Sequence, residues 1–248
     1  MNSIEGLADE IAGWLRDYAA SAGLRGYVVG LSGGIDSAVT AALCQRAVGD
    51  EVLAVLMPCH GQQRDLELAR LVASAFGLET VLVDLGQTYD TLVAALPPDT
   101  AEIAKANIKP RLRMTTLYAI AQTQGYLVAG TGNKSEFMTG YFTKYGDGGV
   151  DVEPLGDLLK SQVRLLAQAL DVPQVIIDRP PTAGLWEGQT DEGELGMTYE
   201  QLDSTLAAIE TGHTGDVDQA LLERVKHMMA ATAHKRSMPP VFRPRTDN

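Results

Sequence analysis

The chain has 248 residues, 45% of them hydrophobic, with 20 Lys and Arg against 32 Asp and Glu and a formal net charge of -12. That length suits one large α/β domain or two small ones with a real core. The acidic balance argues against general nucleic-acid binding, because phosphate backbones need Lys and Arg, but it leaves room for a small anionic substrate in a locally basic cleft. Cys44 and Cys59 form no CxxC and have no His at zinc spacing, so they read as reduced thiols, partly buried, in a cytosolic protein. The N-terminus carries acids and no early basic residue, and the apolar run 52–57 is too short to span a bilayer. A soluble cytoplasmic protein, with neither membrane nor nucleic acid as partner, is expected.

Ser3 is placed to cap a first helix, whose apolar face repeats through Ile4, Leu7, Ile11, Trp14, Leu15 and Tyr18. The run 26–31 is a short strand, followed by a glycine loop and a helix over about 37–48. A strand at 51–57, a helix over 66–76, a strand at 79–85, a helix over 117–125 and a strand at 126–131 follow. These strands are continuous apolar runs, as in a parallel sheet covered on both faces, and the β-α alternation predicts a doubly wound, Rossmann-like α/β fold. After residue 131, glycine- and proline-rich stretches flank a helix predicted over 157–170. Residues 189–212 carry six acids and no Lys or Arg. The tail reverses this with Arg224, Lys226, Lys235, Arg236, Arg243 and Arg245, which suggests a basic segment that meets an anion.

The stretch GLSGGIDSA (30–38) lies at the carboxyl end of the first strand, where doubly wound sheets bind ligands. Gly33 and Gly34 let backbone N–H groups approach phosphate oxygens, Ser32 and Ser37 add hydroxyls, and the following helix start supplies partial positive charge. Asp36 repels phosphate unless a Mg²⁺ bridges the two. The pattern S-G-G-x-D-S resembles the PP-loop of enzymes that split ATP into AMP and pyrophosphate while adenylating an oxygen of their substrate.

NIKPRLRM (107–114), GTGNKSE (130–136), GYFTKYGDGGVDVEPLGDLLKSQV (140–163), RPPTAGLWEGQTDEGELG (179–196) and HKR (234–236) narrow this. Their order and spacing resemble the NAD synthetase family over essentially the whole chain. The resemblance implies ATP-dependent amidation of deamido-NAD to NAD, the last step of NAD synthesis, through an adenylated intermediate. A chain that starts about thirty residues before its PP-loop leaves no room for a glutaminase domain. One domain over 1–248, supplied with free or delivered ammonia, is therefore expected.

Site residues carry over from the resemblance position by position. Gly30, Leu31, Ser32, Gly33, Gly34, Ile35, Asp36 and Ser37 are to hold the ATP phosphates, with Thr131, Lys160 and Thr182 as further ATP contacts. Asp36 and Glu136 are the matched magnesium carboxylates. Arg111, Lys144, Asp151, His234 and Lys235 are matched to deamido-NAD, with Arg113 as a neighbouring candidate. Asp36, Lys160 and Asp151 form the expected catalytic set: Lys160 stabilises charge near the α-phosphate, and Asp151 takes a ribose hydroxyl, the ring nitrogen or an ammonium proton. Phe142 and Tyr145 either stack on a pyridinium ring or pack normally. Gln62, Gln63 and Arg64 are candidates on the adenine side, where the family's Arg near Leu56 is missing. His60, His213 and His227 are given no role. The resemblance also implies a homodimer, and loops 140–153 and 183–197 that order over the substrates. The acidic charge and the missing Cys pair speak against a tRNA-thiolating PP-loop enzyme, and KYGDGG speaks against a GMP synthetase-type subunit. A non-catalytic nucleotide sensor would have lost Asp36 or Glu136.

Overall fold

The structure, a computed structural model, describes residues 4–182, 184, 186 and 188–244. Ser3 and Arg245 lie outside the described residues, as do three positions of the predicted loop 183–197. The first half of the chain alternates helix and strand: α1 (Ile4–Ser21), β1 (Gly26–Gly30), α2 (Ile35–Val48), β2 (Val52–Leu56), α3 (Gln63–Ala75), β3 (Glu79–Leu82), α4 (Gly86–Ala94), α5 (Glu102–Ala106), α6 (Ile108–Gln124) and β4 (Tyr126–Ala129). Helices follow: α7 (Lys134–Thr139), α8 (Lys160–Ala169), α9 (Gln174–Ile177), α10 (Asp191–Leu195), α11 (Tyr199–Thr211) and α12 (Gln219–Ala231), ending in a 3₁₀ turn at Ala233–Lys235.

The four strands form one parallel sheet in the order β3-β2-β1-β4. Alternate residues serve opposite faces, as the pleat requires. Tyr27, Val29, Ala54, Leu56 and Ala129 pack with residues of α1, α2, α3 and α8, whereas Val28, Leu53, Val55 and Val128 pack with Leu117 and Ala121 of α6. The doubly wound reading stands. β3 departs from it in one respect: as the edge strand it is largely exposed, with Leu82 at 52%.

One further expectation is corrected, and two segments without an assignment take shape. In α1 the buried seam is Ala8, Ala12, Leu15 and Ala19, while Trp14 and Tyr18 are exposed and lie against each other, ring centroids 5.8 Å apart. Small residues let α1 lie close to α2, so alanines, not the largest apolar groups, mark the seam. The NIKPRLRM segment belongs to the long helix α6, with Pro110 in its first turn, where a missing N–H costs nothing. Within the acidic stretch 189–212, Glu192, Glu194, Glu200 and Glu210 are exposed, while the apolar residues between them turn inward. Leu202 and Leu206 of α11 and Val225 of α12 close a separate apolar cluster with Leu195, Met197 and Tyr199, and Asp191 and Asp203 are buried beside it.

In strand order, the chain moves outward from β1 to β2 and β3 on one side and places β4 on the other. The reversal between β1 and β4 opens a crevice at their carboxyl ends. Two connections meet there: residues 31–34 after β1 and residues 130–133 after β4.

Candidate active site

The crevice is the mouth of a cavity of 530 Å³. Gly30, Leu31, Ser32, Gly34, Ile35, Asp36, Ser37, Thr131, Glu136, Lys160 and Thr182 all line it. Gly33 does not face it. With φ +79° it turns the loop against α3, and a Cβ there would press on the Asp65 carbonyl and Leu68. The Ser37 hydroxyl fixes the loop, accepting from the Ser32 N–H at 3.2 Å and donating to the Gly34 carbonyl at 2.9 Å. Helix α2 starts two residues earlier than expected, with Gly34 as its N-cap, so Asp36 stands in its first turn.

Lys160 is 1% exposed and is the first residue of α8. A cation at a helix N-terminus opposes the helix dipole, so other charges must hold it there. Asp36 does so in a direct ion pair, with Glu136 Oε1 3.6 Å from the ammonium. Burial works to lower the Lys160 pKa, but the two carboxylates outweigh it and the net direction is upward. Glu136 is held above the ordinary carboxylate range, first by burial and then by the Asp36 charge, although Lys160 pulls the other way. Asn133 joins the pair: its side chain donates to Asp36 at 3.0 Å and accepts from the Glu136 N–H at 3.1 Å. Glu136 thus caps α7 while its carboxylate lines the cavity, so the ordinary helix-start role and the expected site role coexist.

Two carboxylates on one wall suit a Mg²⁺, which takes one or two protein carboxylates and completes its shell with water and substrate phosphates. Among the described residues, no group of three or more His, Cys, Asp or Glu side chains could hold a metal by itself. The donor set therefore fits a metal shared with a phosphate substrate.

Several residues without an assigned role line the cavity or stand directly behind it. The Tyr199 hydroxyl donates to Asp191 at 3.1 Å, and its ring lies under the Lys160 ammonium, 5.1 Å from ring centroid to nitrogen. The Tyr141 hydroxyl donates to Asp191 at 3.1 Å and also contacts Glu194. The Asp191 pKa is raised, burial outweighing Lys160 and the two tyrosine donors. Arg179 lines the cavity on the other flank of the loop. Glu153, behind Gly130, has its Oε1 buried without a hydrogen-bond partner, and burial pushes its pKa up to about 9. All but Tyr199 fall inside the quoted segments 140–163 and 179–196, but the letters alone do not show that these two segments meet around Lys160 and the loop.

A second cavity of 380 Å³ adjoins the first and brings together Arg111, Lys144, Tyr145, His234 and Lys235, with Phe142 in both linings. Arg111 and Arg113 are two residues apart on α6, so their side chains diverge: Arg111 lines this cavity and Arg113 the first, where its Nε donates to the Met57 carbonyl at 3.2 Å. The tail meets carbonyls as much as open cavity. Lys235 donates to the Gly140 and Phe142 carbonyls, each at 2.8 Å, and Arg236 binds the Phe137, Met138 and Met229 carbonyls. Arg236 and two of the three Lys235 donors thus serve backbone carbonyls, several at helix C-termini. Phe142 packs on Phe137, and Lys144 lies over the Tyr145 ring.

Asp151 lines neither cavity of this chain. It is exposed, and its carboxylate accepts from the Tyr118 hydroxyl at 3.1 Å and the Val128 N–H at 2.8 Å. The expected trio of Asp36, Lys160 and Asp151 therefore does not assemble within one chain. Of the adenine-side candidates, Gln62 lines the first cavity and Gln63 and Arg64 do not. His60 pairs with Asp90, and Cys44 and Cys59 are buried free thiols. No helix among the described residues is long and apolar enough to cross a membrane.

The pattern that defines the NAD synthase family matches residues 7–239. The chain is 47% identical over 221 residues to the NH(3)-dependent NAD(+) synthetase of Finegoldia magna, covering 89% of this chain and 92% of that one. It is 46% identical over 237 residues to the enzyme of the same name from Carboxydothermus hydrogenoformans, covering 94% and 95%. Among solved structures, the NMN synthetase of Francisella tularensis superposes with a TM-score of 0.91 at 37% identity, covering 97% of this chain and 99% of that one. With a phosphate loop, two carboxylates and a buried lysine in one crevice, and with likeness over nearly its whole length, the chain belongs to the NAD synthase family.

Proposed function

We propose that the chain is an enzyme that amidates deamido-NAD to NAD with ammonia, converting ATP to AMP and pyrophosphate as the last step of NAD synthesis. The observation that carries this reading is the buried Lys160 between Asp36 and Glu136 at the end of the phosphate loop. The loop N–H groups and the α2 N-terminus take the ATP phosphates, and Thr131, Thr182 and Lys160 face the same space. The nicotinate carboxylate attacks the α-phosphorus, the bond to the bridging oxygen breaks, and pyrophosphate leaves. The Lys160 ammonium stabilises the charge that builds on the α-phosphate oxygens. Ammonia then attacks the acyl carbon, AMP departs with the electron pair of the acyl–oxygen bond, and the nitrogen releases one proton to solvent. Asp36 and Glu136 would hold a Mg²⁺, which when bound neutralises phosphate charge. Tyr141 and Asp191, with Tyr199 behind them, form the wall beside Lys160, where water must be kept from an acyl adenylate.

Deamido-NAD is assigned to the second cavity, with Arg111, Lys144 and His234 as its polar contacts and the third donor of Lys235 left for it. Asp151 is assigned a part through homodimerisation: exposed and outside both cavities of its own chain, it meets substrate bound by the Arg111 and Lys144 of a second copy. The chain works as one domain, with ammonia taken from solution or from a separate protein, in the cytoplasm.

The test is an assay with ATP, Mg²⁺ and ammonium, run with deamido-NAD and with nicotinate mononucleotide side by side, since one structural neighbour is an NMN synthetase. Equal amounts of AMP, pyrophosphate and NAD support the reading. Turnover of the mononucleotide alone would reassign the substrate, and ADP with phosphate would remove the reaction class.

A further inference from the structure

The phosphate loop contains no lysine, yet the group it must release is a highly charged pyrophosphate. Among the described residues, four cations line the first cavity: Arg113, Lys160, Arg179 and Lys235. Arg113 is drawn to the Met57 carbonyl after β2, and Lys235 to two carbonyls of the 140–142 segment. Lys160 is held between Asp36 and Glu136. Arg179 is the one bonded to the loop itself: its Nη1 donates to the Gly33 carbonyl at 3.3 Å, and its Nη2 is ion-paired with Asp65 in the first turn of α3. Gly33 is also pressed against α3, so the guanidinium bridges the loop and the helix that supports it. Two prolines, Pro180 and Pro181, join Arg179 to Thr182, and both ends of this stiff segment line the cavity.

We propose that Arg179 is the cation the loop lacks: it binds the β- and γ-phosphates of ATP and then the pyrophosphate leaving group. Asp65 holds the guanidinium in place beforehand, and phosphate oxygens replace that carboxylate when ATP enters. Arginine suits the exchange because its planar fork keeps one pair of N–H groups on the Gly33 carbonyl while another meets phosphate. No proton transfer is required: the bridging oxygen leaves with its electron pair, and the charge it gains falls beside a fixed positive group. This assignment rests on the reading of the site as an ATP site.

The experiment is calorimetric titration of wild type, Arg179→Ala and Arg179→Lys with ATP, pyrophosphate and AMP, each with Mg²⁺. Arg179→Ala is expected to weaken ATP and pyrophosphate about 10- to 100-fold, the scale of a lost charge-assisted hydrogen bond, with AMP affinity held within about twofold. Arg179→Lys falls between the two. Equal weakening of ATP and AMP would reduce Arg179 to a clamp that shapes the loop, and unchanged ATP and pyrophosphate affinity would also overturn the assignment. If Arg179→Ala does not fold, Arg179→Lys, checked by its melting curve, carries the same comparison. A wild-type protein that binds ATP but makes no NAD removes the proposed reaction while leaving the Arg179 result to stand on the titrations.

Discussion

Lys160 sits where a helix by itself would not favour a cation, which makes its surroundings the reason it is charged. Replacing it with methionine leaves Asp36 and Glu136 facing each other without a counter-ion in a buried wall. We expect kcat for NAD formation to fall about 10²- to 10³-fold, the scale of one lost charge-stabilising donor. The free protein should also lose about 3 kcal/mol of stability, as when one partner of a buried ion pair is removed. Steady-state kinetics and urea unfolding measure the two effects. Glu153 predicts a pH dependence. Its carboxyl has a folded pKa of about 9 against an ordinary 4.5, so between these values the folded chain keeps a proton that the unfolded chain has released. Stability therefore falls as pH rises across that window. Glu153→Gln, neutral throughout and able to present an oxygen to the Gly132 N–H, should melt with a flatter pH profile and gain on wild type most clearly near pH 9. Parallel melting profiles for the two proteins would sink this account. A Cβ at Gly130 would overlap the same carboxyl, which explains why a glycine stands there.

At the scale of elements, the site depends on how α7, α8 and α11 are tied together. Asp203 of α11 accepts from the Ser135 hydroxyl of α7 at 2.5 Å and from the Ser161 N–H of α8 at 2.8 Å. One buried carboxylate thus sets the helix that carries Glu136 against the helix that carries Lys160. Asp203→Ala strands two donors, and we expect a loss of about 2 kcal/mol in chemical denaturation. Because both site residues would shift, kcat should fall more than KM for ATP rises. A fall in stability with unchanged kcat would confine Asp203 to packing. The helices themselves were legible in places. Leu202 and Leu206 repeat at four-residue spacing, but nothing in the letters separates the inward Asp203 from the exposed Glu200 and Glu210 of the same helix.

For the whole molecule, the separation of Asp151 from the Arg111 and Lys144 cavity leads to a complementation test. Arg111→Ala and Asp151→Ala are each expected to be inactive alone. Mixed in equal amounts and allowed to exchange subunits, they should regain about a quarter of wild-type activity, since half the dimers are mixed and each mixed dimer holds one intact site. No recovery despite demonstrated exchange would place both residues in one chain's site. Trp14 and Tyr18 leave exposed apolar surface on α1. Closure is tested separately: limited proteolysis should slow in segments 140–153 and 183–197 when ATP and deamido-NAD are both present.

The parallel sheet, the crevice at the end of β1 and the likeness of the glycine loop to a PP-loop were legible in the letters. Those depend on local order: apolar runs alternating with helical periods, and a glycine loop between a strand and a helix. The letters also pointed to Asp36, Glu136 and Lys160, through motifs whose residues lie close in the chain. What surrounds them was set by the packing of the folded chain. Arg179 reaches Gly33 across 146 positions, and Lys160 reaches Asp36 across 124. The same packing sets Asp151 apart and brings Lys235 and Arg236 to carbonyls. Charge type can be read from a residue's letter, but the partner that satisfies a buried charge is chosen by packing between elements that local periodicity does not connect.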